Sequence, residues 1–504
     1  MGSALAMSLA AASAALFAQQ ERPERPNFVL FIADDVSAAD WGCYGHPTLQ
    51  TPSVDALART GLRFTHAYLC TSSCSPTRTS LITGRYPHNT GAPELHMGDD
   101  PTLAKLPQFP AELRKAGYYT VQSGKTHFNG DVSKSFDRIY GRRDAGPGGE
   151  GRWVACLAER PRDRPFFMWF AADDAHRKWD MPLSEGPHGP EDAVVPPYLV
   201  DGPKTRRDLA HYYNEVHRFD AAIGKVVAEL EHQRVRDNTL IIVMADNGRP
   251  FPRDKTWLYD SGIKTPLVVS WPATIQEAAA PSSLISVIDL PPTLLELAGV
   301  DVPASFQGVS AVPLLRNPEA VTRDFAFCEH NWHTQRAHER AVRWRNYVYY
   351  RNNLPGLMGF NILHWSQSHA HAFHELYDHW KAGKLNDAQA EIFARPRPQA
   401  MLFDVSEDPL QLTDLAKNPE HVKVLNYLGA VMEQWVEETG DTLVPFEKMT
   451  PGRMDRDSWK TIHESGRPRG GVVPGQSMKA HEIDRPGPMR EAEVKAERPG
   501  GDPR

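Results

Sequence analysis

A cysteine followed by a proline and an arginine marks the stretch of this chain with the clearest chemical potential. In CSPTRTSLITGR, Cys74 precedes Pro76 by two places and Arg78 by four. Ser75 is a suitable N-cap and proline a good first helical residue, so the pattern predicts a helix that begins here. Its N-terminus would stabilise an anion at Cys74, and Arg78 lies about one turn further on. The residues alone allow a reactive thiolate or a buried structural cysteine.

Acidic and amide side chains follow two apolar runs elsewhere in the chain. Asp34 and Asp35 end NFVLFIADD, and Asp246 and Asn247 end NTLIIVMADNG. Both runs are typical of buried strands in a parallel sheet. Ligands bind beyond the carboxyl ends of such strands, so we expect the four groups to converge. Three carboxylates and an amide oxygen form a hard, all-oxygen site that suits Ca²⁺, with Mg²⁺ as the second choice.

Basic side chains follow two further predicted strands. Lys125 and His127 stand two apart in SGKTHF, a spacing that places both side chains on one face if the backbone is extended. His176 follows the apolar run RPFFMWF, close behind Asp174. We expect these groups to reach the same edge of the sheet as the acids.

The order of predicted elements indicates the fold class. Strand patterns alternate with amphipathic helices such as TPSVDALARTG and RRDLAHYYNEVHRFDAAIGKVVAEL. This alternation predicts an α/β fold with a large, mostly parallel sheet flanked by helices. After about residue 325 the pattern changes, because RAVRWRNYVYYRNN alternates like an antiparallel strand pair and precedes one more amphipathic helix. A smaller C-terminal α+β domain is therefore expected.

Composition suggests four segments along the chain. We expect a signal peptide over residues 1–20, the large α/β domain over 24–325, the antiparallel-sheet domain over 326–445, and an irregular or disordered tail over 446–504, where Pro, Gly and charge dominate. The apolar, alanine-rich start predicts a periplasmic or secreted protein, with a poorly ordered apolar N-terminus as the alternative. The sequence contains no run that reads as a membrane span.

Net charge and cysteine content exclude some classes. A net charge of -7 argues against nucleic-acid binding, although a local basic pocket could still take an anionic small substrate. Five scattered cysteines, an odd number, do not predict a disulfide framework.

The cysteine motif resembles the signature of the type I, formylglycine-dependent sulfatases. Beyond Cys74, Pro76 and Arg78, the resemblance rests on four further positions: Leu81, Thr83, Gly84 and Arg85. It extends from residue 27 to about residue 440 and implies the alkaline-phosphatase-like sulfatase fold. It also implies that Cys74 is oxidised to formylglycine by a formylglycine-generating or anaerobic sulfatase-maturating enzyme. The Ca²⁺ ligands that it implies are Asp34, Asp35, residue 74 itself, Asp246 and Asn247.

The same resemblance implies catalytic roles for the basic residues. One hydroxyl of the hydrated aldehyde, held by the metal and Arg78, would attack sulfur in line and leave a sulfated enzyme. The other implied roles are sulfate contact by Lys125, base catalysis by His127, proton donation to the leaving group by His176, and binding of the bridging oxygen by Lys255, with Lys264 as its alternative.

Within the family, the resemblance is closest to the heparan N-sulfatases (sulfamidases). It rests on DAHR at Asp174–Arg177, VVPPYLVD, RRDLAHYY and DNGRPFP with the following K and WLY. A sulfated amino sugar is implied, such as N-sulfoglucosamine of heparan-type glycans, with Arg177, His96 and His333 as candidate sugar contacts. Lys255 stands where that group typically has arginine, and residues 331–340 match loosely. An O-sulfatase on another polysaccharide, a phosphonate monoester hydrolase or phosphodiesterase, and a non-catalytic glycan-binding relative are the alternatives.

Overall fold

The computed structural model describes residues 25–93, 95, 102–333, 336–357, 359–360, 368–441 and 480–499. The predicted signal peptide, His96 and the first part of the predicted tail lie outside these residues.

Thirteen strands occur in the described residues, and they form three sheets. They are β1 (Asn27–Ala33), β2 (Leu62–Arg63), β3 (Ala67–Tyr68), β4 (Tyr119–Gly124), β5 (Arg138–Tyr140), β6 (Phe166–Ala171), β7 (Thr239–Ala245), β8 (Leu267–Ser270), β9 (Ile285–Ser286), β10 (Phe325–Trp332), β11 (Arg336–Trp344), β12 (Tyr347–Asn352) and β13 (Ala400–Asp404).

Twelve α-helices occur in the same residues. They are α1 (Pro52–Arg59), α2 (Cys74–Thr83), α3 (Phe109–Lys115), α4 (Arg142–Ala145), α5 (Trp153–Glu159), α6 (Pro203–His232), α7 (Asp260–Ile263), α8 (Leu290–Leu297), α9 (Val312–Arg316), α10 (His371–Lys381), α11 (Asp387–Ala390) and α12 (Val422–Thr439).

The largest sheet has seven strands in the order β2-β8-β7-β1-β6-β4-β5. The run from β7 to β5 is parallel, whereas β8 pairs antiparallel with β7 and with β2. All seven residues of the central strand β1 are buried, because both faces of the sheet are covered. The prediction of a large, mostly parallel sheet is confirmed.

Alternate residues of β1 enter two separate apolar layers, as the pleat of a strand requires. Val29 and Phe31 pack in one layer with the long helix α6, whose Phe219 ring lies 5.9 Å from that of Trp153. Leu30 enters the other layer, which includes residues of α3 and α8. Helices therefore cover both faces of the sheet, and the carboxyl ends of its parallel strands lie at one edge.

A second sheet, antiparallel and in the order β10-β11-β12-β13, lies C-terminal to the first. Strands β11 and β12 form the predicted hairpin, joined by a two-residue turn in which Arg345 has a φ of 51°. Helix α12 packs on this sheet, where Trp435 stacks on Phe327 with ring centroids 5.0 Å apart. The predicted smaller antiparallel sheet is confirmed. The third sheet pairs β3 with β9.

Residues 480–499 are irregular apart from two 3₁₀ turns, and they pack against the turn that follows α2. The buried guanidinium of Arg85 donates to the carbonyls of His481 and Ile483, at 3.0 and 2.8 Å, and to Asp484 Oδ1 at 2.5 Å. This segment therefore buttresses the C-terminal end of the helix that begins at Cys74.

None of the described helices combines the length and the apolar character that a membrane-crossing helix needs. All five cysteines lie in the described residues, and each is a free thiol.

Candidate active site

The carboxyl ends of the parallel strands bring the predicted acids together. Asp34 and Asp35 follow β1, and Asp246 follows the adjacent strand β7. One carboxylate oxygen from each of these three residues lies within 4.8 Å of the others, and all three side chains are buried. The backbone N–H of Asp35 donates to Asp246 Oδ1 at 3.2 Å, which links the two strand ends.

The oxygen atoms of this cluster fit a hard divalent cation. Asp34 Oδ1 and Asn247 Oδ1 are buried, and neither accepts a hydrogen bond from the part of the chain that the structure describes. The amide of Asn247 donates to Asp35 Oδ1 at 2.6 Å, so its carbonyl oxygen is the end left for a cation. Buried acceptors without a partner are costly, and carboxylate and amide oxygens are the ligands that Ca²⁺ takes.

Each acid of the cluster pairs with a buried basic side chain. Lys125 forms an ion pair with Asp34, and Lys255 Nζ lies 2.5 Å from Asp35 Oδ1. Arg78 donates to Asp246 Oδ2 from Nε at 2.8 Å, and its Nη2 lies 2.7 Å from the same oxygen. Three positive and three negative side chains therefore share one buried site.

The buried charges shift the pKa values of the acids in opposite directions. Burial raises the pKa of Asp35 to about 7, against the opposing charge of Lys255. Burial acts on Asp34 in the same sense, but the charges of Lys125 and His176 hold its pKa well below the ordinary value. Asp34 is therefore ionised at neutral pH, whereas a cation bound at Asp35 would compete with a proton.

Cys74 is the first residue of α2, and every residue of that helix is buried. The predicted N-cap was wrong by two residues, because Ser73 rather than Ser75 precedes the first helical residue. Ser73 makes no side-chain capping bond; its hydroxyl lies 2.7 Å from His333 Nδ1 instead. A residue of the C-terminal sheet region thus contacts the chain immediately before the cysteine.

The thiol of Cys74 is not disposed to be a thiolate. Burial raises its pKa above the ordinary value, although the charges of Lys125 and Lys255 act in the opposite sense. A protonated thiol is a weak nucleophile. The raised pKa therefore does not favour an unmodified cysteine as the reacting group, and the influence of the two lysine charges places both lysines near residue 74.

The backbone around His127 differs from the expected one. Strand β4 ends at Gly124, and His127 has a left-handed φ of 46°. The extended backbone on which the spacing argument for Lys125 and His127 depends is therefore not found, because the chain leaves the strand before either residue. Arg78 Nη1 donates to the carbonyl of Lys125 at 3.0 Å and so ties this turn to α2.

His176 lies close to the cations of the cluster. Burial lowers its pKa well below the ordinary value, and the charges of Lys255 and Lys125 add to this effect. Its Nδ1 hydrogen bonds with the carbonyl of Arg177, which can only accept, so Nδ1 carries the proton. In the neutral ring the other nitrogen, Nε2, is then an acceptor.

The remaining sequence candidates fall in different places. Lys255 belongs to the acidic cluster, whereas Lys264 has Asp260 and Arg343 as its charged neighbours. Asp35, at 2.5 Å, helps to raise the pKa of Lys255 above its ordinary value, although burial opposes this, so that its ammonium stays protonated. Arg177 is buried beside α6, and His96 lies outside the described residues.

Two contact residues of the site were not found from the sequence. Ser73 contacts His333 across 260 positions, and Asp208 of α6 pairs with Arg177 across 31. Neither pairing has a local sequence signal, because each depends on how distant elements pack.

Comparison with known proteins identifies the family. The sulfatase family matches residues 26–146 and 152–300, and a family described as "N-sulphoglucosamine sulphohydrolase, C-terminal" matches residues 251–354. Human N-sulphoglucosamine sulphohydrolase is 30% identical over 83% of this chain and 91% of its own length. An ulvan-active sulfatase from Formosa agariphila is 28% identical over 83% of this chain and 76% of its own length.

A solved structure with the same fold is a putative sulfatase from Bacteroides thetaiotaomicron. It superposes with a TM-score of 0.64 at 20% identity and covers 91% of this chain and 100% of its own. That likeness shows the fold. With the family matches and the human relative, it leads to one conclusion: the chain belongs to the sulfatase family, the hydrolases of sulfuric esters.

Proposed function

We propose that this protein removes sulfate from a sulfated carbohydrate, with N-sulfoglucosamine of heparan-type glycans as the preferred substrate. The observation that carries the proposal is the buried assembly beside Cys74, in which three carboxylates and an amide face three cationic side chains. These groups are Asp34, Asp35, Asp246, Asn247, Arg78, Lys125 and Lys255.

A divalent cation suits the electrostatics of this proposal. The three ion pairs neutralise one another, so the protein side chains alone offer little net attraction to a sulfate group. Ca²⁺ held by Asp34, Asp35, Asp246 and Asn247 would add positive charge and polarise the sulfate oxygens. Lys125 and Lys255, both buried, would contact the sulfate from the protein side.

Residue 74 suits the role of a modified nucleophile. Oxidised to formylglycine by a maturating enzyme, it would supply an aldehyde hydrate as the attacking group. Cys74 opens a ten-residue helix, whose first N–H groups lack intrahelical partners and favour negative charge. Arg78, one turn along the same helix, is held by Asp246 and orients this end of the site.

Proton transfer is proposed for the two histidines. In the free site, burial and, after it, the charges of Lys255 and Lys125 hold the pKa of His176 well below its ordinary value, so that the ring is neutral. The negative charge of a bound sulfate would oppose those cations, so that Nε2 of His176 could hold a proton and pass it to the leaving atom. Lys255 would hydrogen bond the same atom, and His127, in the turn after β4, would act as the base that releases sulfate.

Preference for an N-sulfated amino sugar is supported by two likenesses. The match to the C-terminal N-sulphoglucosamine sulphohydrolase family spans residues 251–354, which contain Lys255 and the strands β10 to β12. The human enzyme of that name is similar along most of both chains. The ulvan-active relative supports an O-sulfated polysaccharide as the second candidate. The apolar N-terminal sequence supports export to the periplasm or the medium.

The test is sulfate release from a panel of defined saccharides by the matured protein. We expect release from N-sulfoglucosamine ends, and Cys74→Ala should abolish it. Cys43→Ala, at a half-buried cysteine in a short 3₁₀ turn, is the matched control and should keep full activity. Release only from O-sulfated galactans or fucans would replace the proposed substrate. Hydrolysis of phosphodiesters without any sulfate release would overturn the function itself.

A further inference from the structure

Arg177 is bound on every side by protein acceptors. Its Nη1 and Nη2 donate to the two carboxylate oxygens of Asp208, at 2.9 and 2.7 Å, and Nη1 also donates to the carbonyl of His369 at 2.9 Å. Nε donates to the carbonyl of Pro250 at 3.2 Å. Each guanidinium nitrogen therefore already has a protein partner, and the side chain is buried.

The same guanidinium lies between two aromatic rings from different loops. Its central carbon is 4.1 Å from the ring centroid of Trp179 and 5.0 Å from that of Phe251. Pro250 and Phe251 belong to the segment between β7 and α7 that carries Lys255, whereas Trp179 follows His176. Arg177 thus connects the loop of His176 to the loop of Lys255.

The backbone of Arg177 also sets the orientation of the His176 ring. Its carbonyl accepts the Nδ1 proton of His176, so the tautomer and the ring plane depend on where residue 177 is held. Asp208 fixes that position from helix α6, and its Oδ2 also accepts the N–H of Ala372 at the start of α10 at 2.9 Å. Asp208 therefore connects Arg177 to two helices, α6 and α10.

We infer that Arg177 and Asp208 form a positioning pair for the leaving-group side of the site, and that Arg177 is not a sugar contact. The inference rests on the proposed function, because it assigns His176 and Lys255 to the leaving atom. A buried arginine–carboxylate pair with two parallel hydrogen bonds has a well-defined geometry. Small displacements of groups that transfer protons lower the reaction rate strongly. The Arg177–Asp208 pair would therefore fix the positions of both His176 and Lys255.

The test compares leaving groups. A nitrophenyl sulfate releases an acidic phenol that needs no proton, whereas N-sulfoglucosamine releases a basic amine that does. Arg177→Lys and Asp208→Asn should each lower kcat on N-sulfoglucosamine by about 10- to 100-fold. Their kcat on the nitrophenyl sulfate should fall by less than about threefold, with KM within about twofold of the wild type on both. His176→Ala is the reference: the ratio of its kcat losses on the two substrates gives the full effect of removing the proton donor.

Controls separate positioning from loss of fold. Asp201→Asn removes an exposed partner of Arg206 near the start of α6, and it should leave both rates unchanged. All rates are scaled to the formylglycine content at residue 74, measured by peptide mass, and the melting curve of each variant is recorded. If Asp208→Asn does not fold, the comparison uses Arg177→Lys. Asp208→Glu, which keeps a carboxylate for Arg177, should keep part of the wild-type rate on N-sulfoglucosamine.

The outcomes distinguish this inference from the proposed function. Absence of sulfatase activity in the wild-type protein would refute the proposed function itself. If the wild type is active and His176→Ala loses more activity on N-sulfoglucosamine than on the nitrophenyl sulfate, two results would overturn the inference. One is an equal loss on both substrates in the Arg177 variant, which indicates a purely structural role. The other is a raised KM with unchanged kcat, which indicates a sugar contact.

Discussion

Calcium should stabilise the folded protein through the acidic cluster, and chelation should reverse this. Asp34 Oδ1 and Asn247 Oδ1 are buried acceptors without a hydrogen-bond donor among the described residues. Each such atom costs about 1–3 kcal/mol, so a cation that satisfies both would relieve about 2–6 kcal/mol. Linkage gives about 2.7 kcal/mol of added stability at a free Ca²⁺ concentration of about 100 times Kd. The entropy of unfolding is about 1 kcal/mol/K for a chain of 504 residues, so that gain corresponds to a rise in Tm of about 2.5 °C.

The assay is thermal unfolding of chelated protein at increasing Ca²⁺ and, separately, Mg²⁺. The Tm of the wild type should rise by about 2.5 °C with Ca²⁺ and by less with Mg²⁺, which demands a stricter octahedral geometry. Asp34→Asn should lose most of the gain, because it removes one charged ligand. Asp237→Asn, at an exposed acid before β7, should respond like the wild type. The reasoning is refuted if Ca²⁺ does not change the Tm of chelator-treated wild type, or if the Tm of Asp34→Asn rises as much as that of the wild type.

Two further predictions concern the C-terminal part of the chain. Arg85→Met should destabilise the protein by at least about 3 kcal/mol, since it leaves the buried carbonyl of Asn89 and the half-buried carbonyls of His481 and Ile483 without a donor. Urea unfolding measures this, and a change below about 0.5 kcal/mol would contradict it. Burial, with the charge of Arg340, lowers the pKa of His338 from 6.5 to about 3. The unfolded chain alone then takes up this proton as pH falls below 6.5, so stability should drop through that window. His338→Gln should flatten the drop, and an unchanged pH profile would contradict the assignment.

The part of the site that lies at strand ends could be predicted from the sequence. Asp34 and Asp246 each follow an apolar run, Lys125 follows a predicted strand, and the carboxyl ends of parallel strands must share one edge. Hydrophobic periodicity is a local signal, so it reports these elements reliably. The antiparallel sheet could be predicted for the same reason, since the hairpin around Arg345 lies within one alternating run.

Contacts that depend on distant packing could not be predicted. Residues 480–499 were expected to be irregular, but nothing in their composition indicates that Arg85 would be their partner. Ser73 was missed as the N-cap because Ser75 and Pro76 fit the local rule equally well, and the contact of the Ser73 hydroxyl with His333 has no local sequence signal. The turn at His127 was missed because a two-residue spacing says nothing about where a strand ends.

The central claim is that residue 74, once oxidised, is the reacting group of this cation-lined site. The most direct measurement is sulfate release by preparations that differ only in the formylglycine content of the Cys74 peptide, determined by mass spectrometry. The account predicts activity proportional to that content and none in fully unconverted protein. Full activity with an unmodified Cys74, or converted protein that releases no sulfate from any ester or sulfamate, would contradict it.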